Sequence, residues 1–146
     1  MPVVTEGKLM IADRNMMLTI LNAETGESAG SMKQVSATGL SEDGKFVYLR
    51  KMNGSVVKID SSGKEIWSVG AHVGAIPTSP TEKNGVVYVS SGKGTVSAIA
   101  ADSGKVLWKY QGSPQLFVMS SVACDGASAY VMAFDGSLTA IKCRAR

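Results

Sequence analysis

GKFVYL, at residues 44–49, returns as GVVYVS at residues 85–90 and again as GASAYV at residues 126–131. The opening glycine steps from 44 to 85 to 126, so the period is 41 residues both times. A shorter copy, GKLMI, begins at Gly7. Self-similarity at a period of this size is typical of repeat proteins, in which each unit buries its apolar surface against its neighbours. The sequence therefore predicts a chain of similar units.

Two kinds of turn divide each unit into strands. Asn53-Gly54 and Asp135-Gly136 each join two segments in which apolar and polar residues alternate. These dipeptides are preferred in two-residue hairpin turns because both positions need a positive φ. A second turn leads into another short segment, at Thr25-Gly26, Ser62-Gly63 and Ser103-Gly104. The two turns predict three antiparallel strands in each unit that has both of them.

A fourth strand is expected ahead of each opening glycine, in residues 2–5, 37–40, 76–81 and 117–124. Four short strands in about 40 residues, without helical periodicity, are typical of one blade of a β-propeller. We predict an all-β chain of about four blades, and the last of them lacks its outermost strand. The predicted blades are residues 1–34, 35–75, 76–114 and 115–146.

A propeller blade is stable only against neighbouring blades, and rings usually contain four to eight of them. Three arrangements are open for this chain of 146 residues. It is the C-terminal part of a longer propeller, or two copies complete one ring, or four blades close unusually tightly. The missing outermost strand favours the first arrangement, because the exposed edge at residues 137–142 has to be covered by sequence from elsewhere. We therefore expect a larger or oligomer-completed ring.

The turns also carry a motif that resembles the pyrroloquinoline-quinone-like (PQQ-like, or quinoprotein-type) β-propeller repeat family. Ala98, Ala100, Ser103, Gly104 and Trp108 stand at positions 1, 3, 6, 7 and 11 of the tryptophan-docking motif of that family. Parts of the motif recur at Asn22, Thr25 and Gly26 in the first unit and at Gly63 and Trp67 in the second, and Gly30 replaces the first tryptophan. An indole at this position can bury itself against the next blade while its N–H finds a backbone acceptor. The first interface, which lacks the indole, is expected to be weaker.

The resemblance covers the whole chain but says less about function. Quinone-dependent dehydrogenases of this family hold their cofactor between a tryptophan and a disulfide of two adjacent cysteines, whereas Cys124 and Cys143 are far apart in this sequence. We therefore expect no cofactor and no catalytic residues. The resemblance is better to non-enzymatic members, such as the propeller lipoprotein of bacterial outer-membrane assembly and the accessory propellers of multidomain hydrolases. It implies a periplasmic or cell-envelope location, although the first residues, 1–6, lack the features of a secretion signal.

Composition argues against several other classes of protein. The 15 basic and 12 acidic residues give a formal charge of +3 without a block of like charges, so nucleic acid is not an expected partner. No apolar run approaches the roughly 18 residues that a transmembrane helix needs. The single histidine, His72, has no clustered ligands for zinc and no nucleophile beside it in the sequence. The two cysteines are interpreted as free, buried thiols.

The expected function is that of a non-catalytic scaffold that binds a protein or a ligand, because loops at one rim of a propeller and its central channel commonly present such a surface. The predicted binding residues are Arg14, Asn15, Lys51, Met52 and Lys93, near the turns between second and third strands. The partner would be a protein, the missing propeller blades, or a second copy that completes the ring. The alternative is a fragment of a quinoprotein-type dehydrogenase whose cofactor site lies in other blades.

Overall fold

The computed structural model describes residues 1–71, 73, 76, 78–112 and 120–143. Within these residues the regular structure consists of short β-strands, without a helix. The strands are β1 Val3–Thr5, β2 Lys8–Ala12, β3 Met17–Asn22, β4 Ser28–Lys33, β5 Val35–Leu40, β6 Val47–Lys51, β7 Ser55–Ile59, β8 Glu65–Gly70, β9 Thr81–Lys83, β10 Val86–Ser90, β11 Thr95–Ala100, β12 Val106–Gln111, β13 Ala123–Cys124, β14 Ser128–Met132 and β15 Leu138–Lys142. No helix in the described ranges has the length and apolar character that crossing a bilayer requires.

Four antiparallel sheets follow one another along the chain, and each is a simple meander. Strands β1–β4 form blade 1, β5–β8 form blade 2, and β9–β12 form blade 3. Blade 4 has three strands in the described residues, β13–β15. The first strands of successive blades contact one another, so the sheets are arranged around a common axis. The predicted fold class, an all-β chain of about four propeller blades, is confirmed.

Each blade has two faces. We call the side that packs on the next blade in the sequence the forward face, and the opposite side the backward face. Apolar clusters fill the three spaces between successive blades. In the first space, Met10 and Leu18 of blade 1 pack on Val47 and Ile59 of blade 2, and all four side chains are fully buried. Burial of this apolar surface stabilises the packing of each sheet on the next, by about 25 cal/mol for each Å² that is removed from water.

The tight turns differ from those that the sequence indicated. Two-residue loops with a positive φ at both positions join first and second strands, at Glu6-Gly7 and Asn84-Gly85. At Asn53-Gly54 and Asp135-Gly136 the glycine alone has a positive φ, and its N–H donates to the carbonyl three residues earlier. This is a type I turn followed by a left-handed glycine. The hairpins are present, but their predicted two-residue type was wrong.

The first strand of blade 3 begins later than expected. The sequence predicts it at residues 76–81, whereas β9 is Thr81–Lys83. The fully buried guanidinium of Arg50 explains the difference, since it donates to Val73 O and Thr78 Oγ1 and holds these residues outside the sheet. Pro80 has no N–H for a strand ladder.

Several sequence features lie outside the described residues. They are His72, residues 117–119 of the strand that was expected at 117–124, and the last three residues, 144–146.

Candidate functional site

The motif residue Trp67 lies between blades 2 and 3. Its Nε1–H donates to Ala101 O at 3.1 Å, and its ring lies 5.9 Å from the ring of Tyr48. Gly104, in the same turn as Ala101, has a φ of 72° and lies directly against the indole. A Cβ at Gly104 would come within 2.8 Å of Trp67 Cδ2. Only glycine suits both this left-handed backbone and the close indole, so Trp67 and Gly104 make one contact across the interface.

The second tryptophan, Trp108, makes a related contact between blades 3 and 4. It is half-buried, and its ring lies 6.0 Å from the ring of Tyr88. Ala98 is its cross-strand neighbour, and this small side chain leaves room for the indole. The blade 4 residues that correspond to Ser103 and Gly104 lie outside the described residues.

Blade 1 replaces the indole with an aliphatic side chain. Ile20 is the cross-strand neighbour of Gly30, the residue that stands where the other blades have tryptophan. Its Cδ1 lies 3.2 Å from the position that a Cβ would take at Gly63 of blade 2. Ile20 therefore occupies part of the space that an indole would fill. The expected weakness of this first interface stays a prediction.

The other motif residues shape the turn itself. Asn22 Oδ1 accepts hydrogen bonds from the backbone N–H groups of Glu24 and Thr25. Gly26 takes a φ of 73°, as Gly104 does in blade 3. Ser103 is exposed in the blade 3 turn. These residues are local turn formers, which is the usual role of Asn and Gly at such positions.

The predicted binding residues lie at one rim, which contains the turns between second and third strands at residues 13–16, 52–54, 91–94 and 133–137. The ends of fourth strands lie at the same rim, because Val35 N–H donates to Met16 O and Gly112 N–H donates to Gly94 O. Arg14, Asn15, Met52 and Lys93 are exposed in three of these turns, and Lys51 ends β6. The structure thus brings the five residues to one side of the molecule, where they are spread over three blades. We call this side the basic rim.

The acidic residues are divided unequally between this rim and the opposite one. Of the 12 acidic residues, only Asp13 and Asp135 lie at the basic rim. Each binds its own turn: Asp13 Oδ1 accepts from Asn15 N–H and Met17 N–H, and Asp135 Oδ1 accepts from Ser137 N–H. The Ser137 side chain and N–H hold the pKa of Asp135 below its ordinary value. The other acidic residues lie in or beside the turns of the opposite rim, the acidic rim: Glu6, Glu24, Glu27, Glu42, Asp43, Asp60, Glu65, Glu82, Asp102 and Asp125.

Two basic residues at the end of β6, Arg50 and Lys51, hold neighbouring segments in place at the basic rim. Burial lowers the pKa of Arg50 to about 10, which leaves the guanidinium charged at neutral pH as it binds the segment before blade 3. Lys51 Nζ donates to Lys33 O at 2.7 Å and so joins blade 2 to blade 1. Burial also lowers the pKa of Lys51. Lys51 is therefore partly structural, whereas Lys33 is exposed and adds a cation to the rim.

Sequence reasoning missed an apolar part of the same rim. Phe134 is 81% exposed in the blade 4 turn, and with Met132 it lines a cleft of about 260 Å³. A larger cleft, of about 420 Å³, lies beside the blade 1 turn and is lined by Met1, Ala12, Asp13, Arg14, Met16 and Ser36. Phe134 occupies the same turn position as Arg14 and Met52, so an alignment of the turns would have found it. Aromatic residues, Met and Arg are enriched in protein-binding surfaces.

The cysteines do not form the arrangement of a quinone enzyme. Cys124 and Cys143 are both free, and they are half-buried where the sequence indicated full burial. Tyr88 Oη–H donates to Cys143 Sγ at 3.1 Å, and burial raises the pKa of Cys124. In the part of the chain that the structure describes, no group of three His, Cys, Asp or Glu side chains could hold a metal. Separate thiols do not fit the disulfide of adjacent cysteines that flanks the quinone in those enzymes.

The chain is similar to known proteins over most of its length. The family model described as outer membrane protein assembly factor BamB matches residues 14–145. The BamB of Nitrosomonas eutropha is 29% identical over 125 residues, which cover 84% of this chain and 30% of that protein. The BamB of Burkholderia pseudomallei is 27% identical over 140 residues, which cover 92% and 36%. The chain spans about a third of the length of these curated relatives.

Solved structures have the same fold at lower identity. The crystal structure of BamB from Moraxella catarrhalis superposes with a TM-score of 0.76 at 15% identity, over 97% of this chain and 47% of that one. The computationally designed Ika4 protein gives a TM-score of 0.82 at 16% identity, over 97% and 88%. Quinohemoprotein alcohol dehydrogenase from Comamonas testosteroni gives 0.69 at 16% identity, over 90% and 28%.

At these identities the structures agree on the fold alone, and the family follows from the sequence match. That match covers residues 14–145, which is nearly the whole chain. The chain therefore belongs to the BamB family of PQQ-like β-propeller repeats.

Proposed function

We propose that this chain is a non-catalytic scaffold for outer-membrane protein assembly in a bacterial cell envelope, and that its basic rim is the surface that binds the protein partner. The curated relatives are named as assembly factors of this kind, and the chain matches about a third of each. The four blades would belong to a larger ring. The remaining blades would come from a longer chain, in which these residues are the C-terminal part, or from another chain.

The uneven distribution of acidic residues between the rims carries this proposal, because ten of the 12 lie at the rim opposite the basic one. Arg14, Lys33 and Lys93 are exposed at the basic rim, while its two carboxylates are bound within their own turns. A partner with an acidic surface would be attracted to this rim more strongly than to the opposite one, where carboxylates outnumber lysines. The exposed Met52 and Phe134 offer apolar contact between the cations. Cations that attract the partner, together with apolar side chains that contact it once bound, suit a specific but reversible protein interface.

Charge reversal at the two rims tests the proposal. The probe is the purified outer-membrane assembly complex of a bacterium from which its own BamB has been removed, and binding to the immobilised chain is measured. Reversal of Arg14, Lys33 and Lys93 to Glu should weaken binding at least tenfold, which is about 1.4 kcal/mol. The matched control reverses Lys45, Lys64 and Lys105, three exposed lysines of the acidic rim, and should bind as the unmodified chain does. Absence of binding by the unmodified chain, or equal losses in both variants, would overturn the proposal.

The second candidate is part of a quinoprotein-type dehydrogenase. Its support is the fold that the chain shares with the alcohol dehydrogenase of Comamonas testosteroni, and the separate cysteines count against it. Absorbance titration of the chain with pyrroloquinoline quinone and calcium distinguishes the two candidates. We expect no saturable binding, and tight binding would favour the dehydrogenase.

A further inference from the structure

We propose that a belt of hydrogen bonds next to the turns of the basic rim holds blades 2, 3 and 4 in fixed relative positions there, and so prepares their turns to bind one partner together. The belt runs from Arg50 through Thr78 and Ser90 to Ser120. Its role in binding rests on the proposed function of the basic rim. Its role in holding the three turns can be measured on the free chain.

The inner edges of blades 3 and 4 lack strand pairing close to the basic rim. In blade 2, the first strand β5 pairs with β6 as far as Lys51. In blade 3, β9 pairs only with Val86–Tyr88, and in blade 4, β13 pairs only with Ala129–Tyr130. Within the described ranges, the last two residues of β10 and of β14 therefore have no strand beside them on the inner side. Other groups have to hold these strand ends, which lead into the turns of the basic rim.

The belt begins at Arg50, near the end of β6. The guanidinium donates to Thr78 Oγ1, in the segment that leads into blade 3. Thr78 Oγ1 lies 3.4 Å from Ser90 Oγ, and the Ser90 hydroxyl donates to Ser120 O at 2.9 Å. Since that bond uses the Ser90 proton, the Thr78 hydroxyl is the donor to Ser90. The donors therefore all point the same way, from blade 2 towards blade 4, and each bond polarises the next.

The belt ends in blade 4, at the strand that leads into the turn of Phe134. Ser120 Oγ donates to Met132 O at 3.2 Å and accepts from Met132 N–H at 3.3 Å. The side chain of Ser120 thus binds both backbone groups of Met132, as a paired strand would. The end of β14 is in this way tied to the same belt as the ends of β6 and β10.

The belt uses one equivalent position in three of the four blades. The residues directly before the first residue of each turn are Ala12, Arg50, Ser90 and Met132. Arg50 and Ser90 contribute their side chains to the belt, and Met132 contributes its backbone. Ala12 has no polar side chain to offer. Blade 1 therefore provides an internal comparison at the same rim.

The links between blades give the belt its consequence for binding. Arg50 and Thr78 join blade 2 to blade 3, and Ser90 and Ser120 join blade 3 to blade 4. A partner that contacts several turns at once binds more tightly when the turns are already held in place, because ordering them on binding costs free energy. Thr78 and Ser90, which are buried, are therefore positioning residues. They act through the exposed turns and need not touch the partner.

Amide hydrogen exchange of the free chain, measured by NMR, tests the belt. Thr78→Val and Ser90→Ala each remove one hydroxyl from it. Either change should speed the exchange of the turn amides in all three linked blades by about fivefold, which is the effect of one hydrogen bond. These amides donate three residues back within equivalent turns and belong to Gly54, Gly94 and Gly136. The equivalent amide of blade 1, that of Met16, should keep its exchange rate.

Ser97→Ala is the matched control. Ser97 is a buried serine of blade 3, as Ser90 is, but its hydroxyl donates to Ala71 O and lies outside the belt. This variant should leave the exchange of Gly54 and Gly136 unchanged. Faster exchange at Gly94 alone in the Ser90→Ala variant would overturn the proposal, because the three turns would then not be held together. Equal effects of Ser97→Ala and Ser90→Ala on the three turns would also overturn it.

Binding of the purified outer-membrane assembly complex tests the positioning role. Ser90→Ala should weaken binding by about fivefold at a temperature where circular dichroism shows a fully folded chain, and Ser97→Ala should bind as the unmodified chain does. Unchanged binding by Ser90→Ala, beside the expected loss on charge reversal at the basic rim, would overturn the role of the belt and leave the proposed function intact. Failure of the unmodified chain to bind would overturn the proposed function, and hydrogen exchange alone would then decide the belt.

Discussion

Gly104 lies against the indole of Trp67, and replacing it with alanine measures how firmly blade 2 docks on blade 3. The chain contains its own controls, because Gly26, Gly63 and Gly104 occupy equivalent turns with φ of 73°, 88° and 72°. A Cβ at Gly26 would meet nothing within 4 Å. At Gly63 it would meet Ile20 Cδ1 at 3.2 Å, and at Gly104 it would meet three indole atoms at 2.8–3.0 Å. The backbone strain is matched at Gly26 and Gly104, whose N–H groups both donate four residues back, whereas the Gly63 turn is one residue tighter. The steric contact increases along the series.

The expected losses of stability follow from these distances. A left-handed backbone costs a residue other than glycine about 1–2 kcal/mol, and this is the whole expected cost of Gly26→Ala. Gly104→Ala adds an overpacked contact with a rigid ring, worth about 1–3 kcal/mol more. The total for Gly104→Ala is therefore about 2–5 kcal/mol. Gly63→Ala should fall between them, because an isoleucine methyl can shift where an indole cannot.

Urea denaturation followed by circular dichroism, at one protein concentration for all variants, measures the three free energies of unfolding. A double variant adds a sharper comparison. In a Trp67→Leu background the indole is absent, and Gly104→Ala should cost only about as much as Gly26→Ala, which is a coupling of at least about 1 kcal/mol. Equal costs at Gly26 and Gly104 in the unmodified background would refute docking of the indole on that turn.

Three further predictions concern β6 and the turn of blade 1. Met16 has a φ of 58° where the other three blades have glycine, so Met16→Gly should raise the free energy of unfolding by about 0.5–1 kcal/mol, and a lower value would contradict the turn geometry. Arg50→Met should cost about 3 kcal/mol in urea denaturation, because buried acceptors lose a charged donor, while Lys51→Met should cost less than about 1 kcal/mol. Burial and the hydrogen bond to Glu82 raise the pKa of Tyr48, so the unfolded chain ionises first, near pH 10, and stability should fall as the pH rises above that value. Tyr48→Phe should show a smaller fall between pH 10 and 11, and an equal fall would contradict the assignment.

The fold could be predicted because the repeat places equivalent residues at a constant spacing. Gly44, Gly85 and Gly126 recur every 41 residues, and all three have a positive φ in the structure. The turn types were harder to predict from the sequence, because Asn-Gly suits more than one kind of hairpin loop. The length of such a loop also depends on the register of both strands. The start of β9 was also missed. The burial of Arg50 decides where β9 starts. The sequence does not show whether a single arginine in an alternating strand faces the core or the solvent.

The basic rim could be predicted only in part. Once the turns were placed, Arg14, Met52 and Lys93 had to lie at the same side, because meandering strands return to it at every second turn. Phe134 was overlooked, although it stands at the same turn position. The concentration of ten of the 12 acidic residues at one rim was invisible in the composition, since it depends on which end of each strand a residue occupies. Along the sequence, residues of the two rims alternate every few positions.

Site-specific photo-crosslinking tests most directly whether the basic rim is where the protein partner binds. A photoreactive amino acid replaces Met52, which is 40% exposed at the basic rim, or Ile66, which is 46% exposed in β8. Each variant is irradiated with the purified assembly complex. We predict a crosslinked product from position 52 and none from position 66. A product from position 66 alone, or from neither position while binding persists, would contradict the assignment of the basic rim.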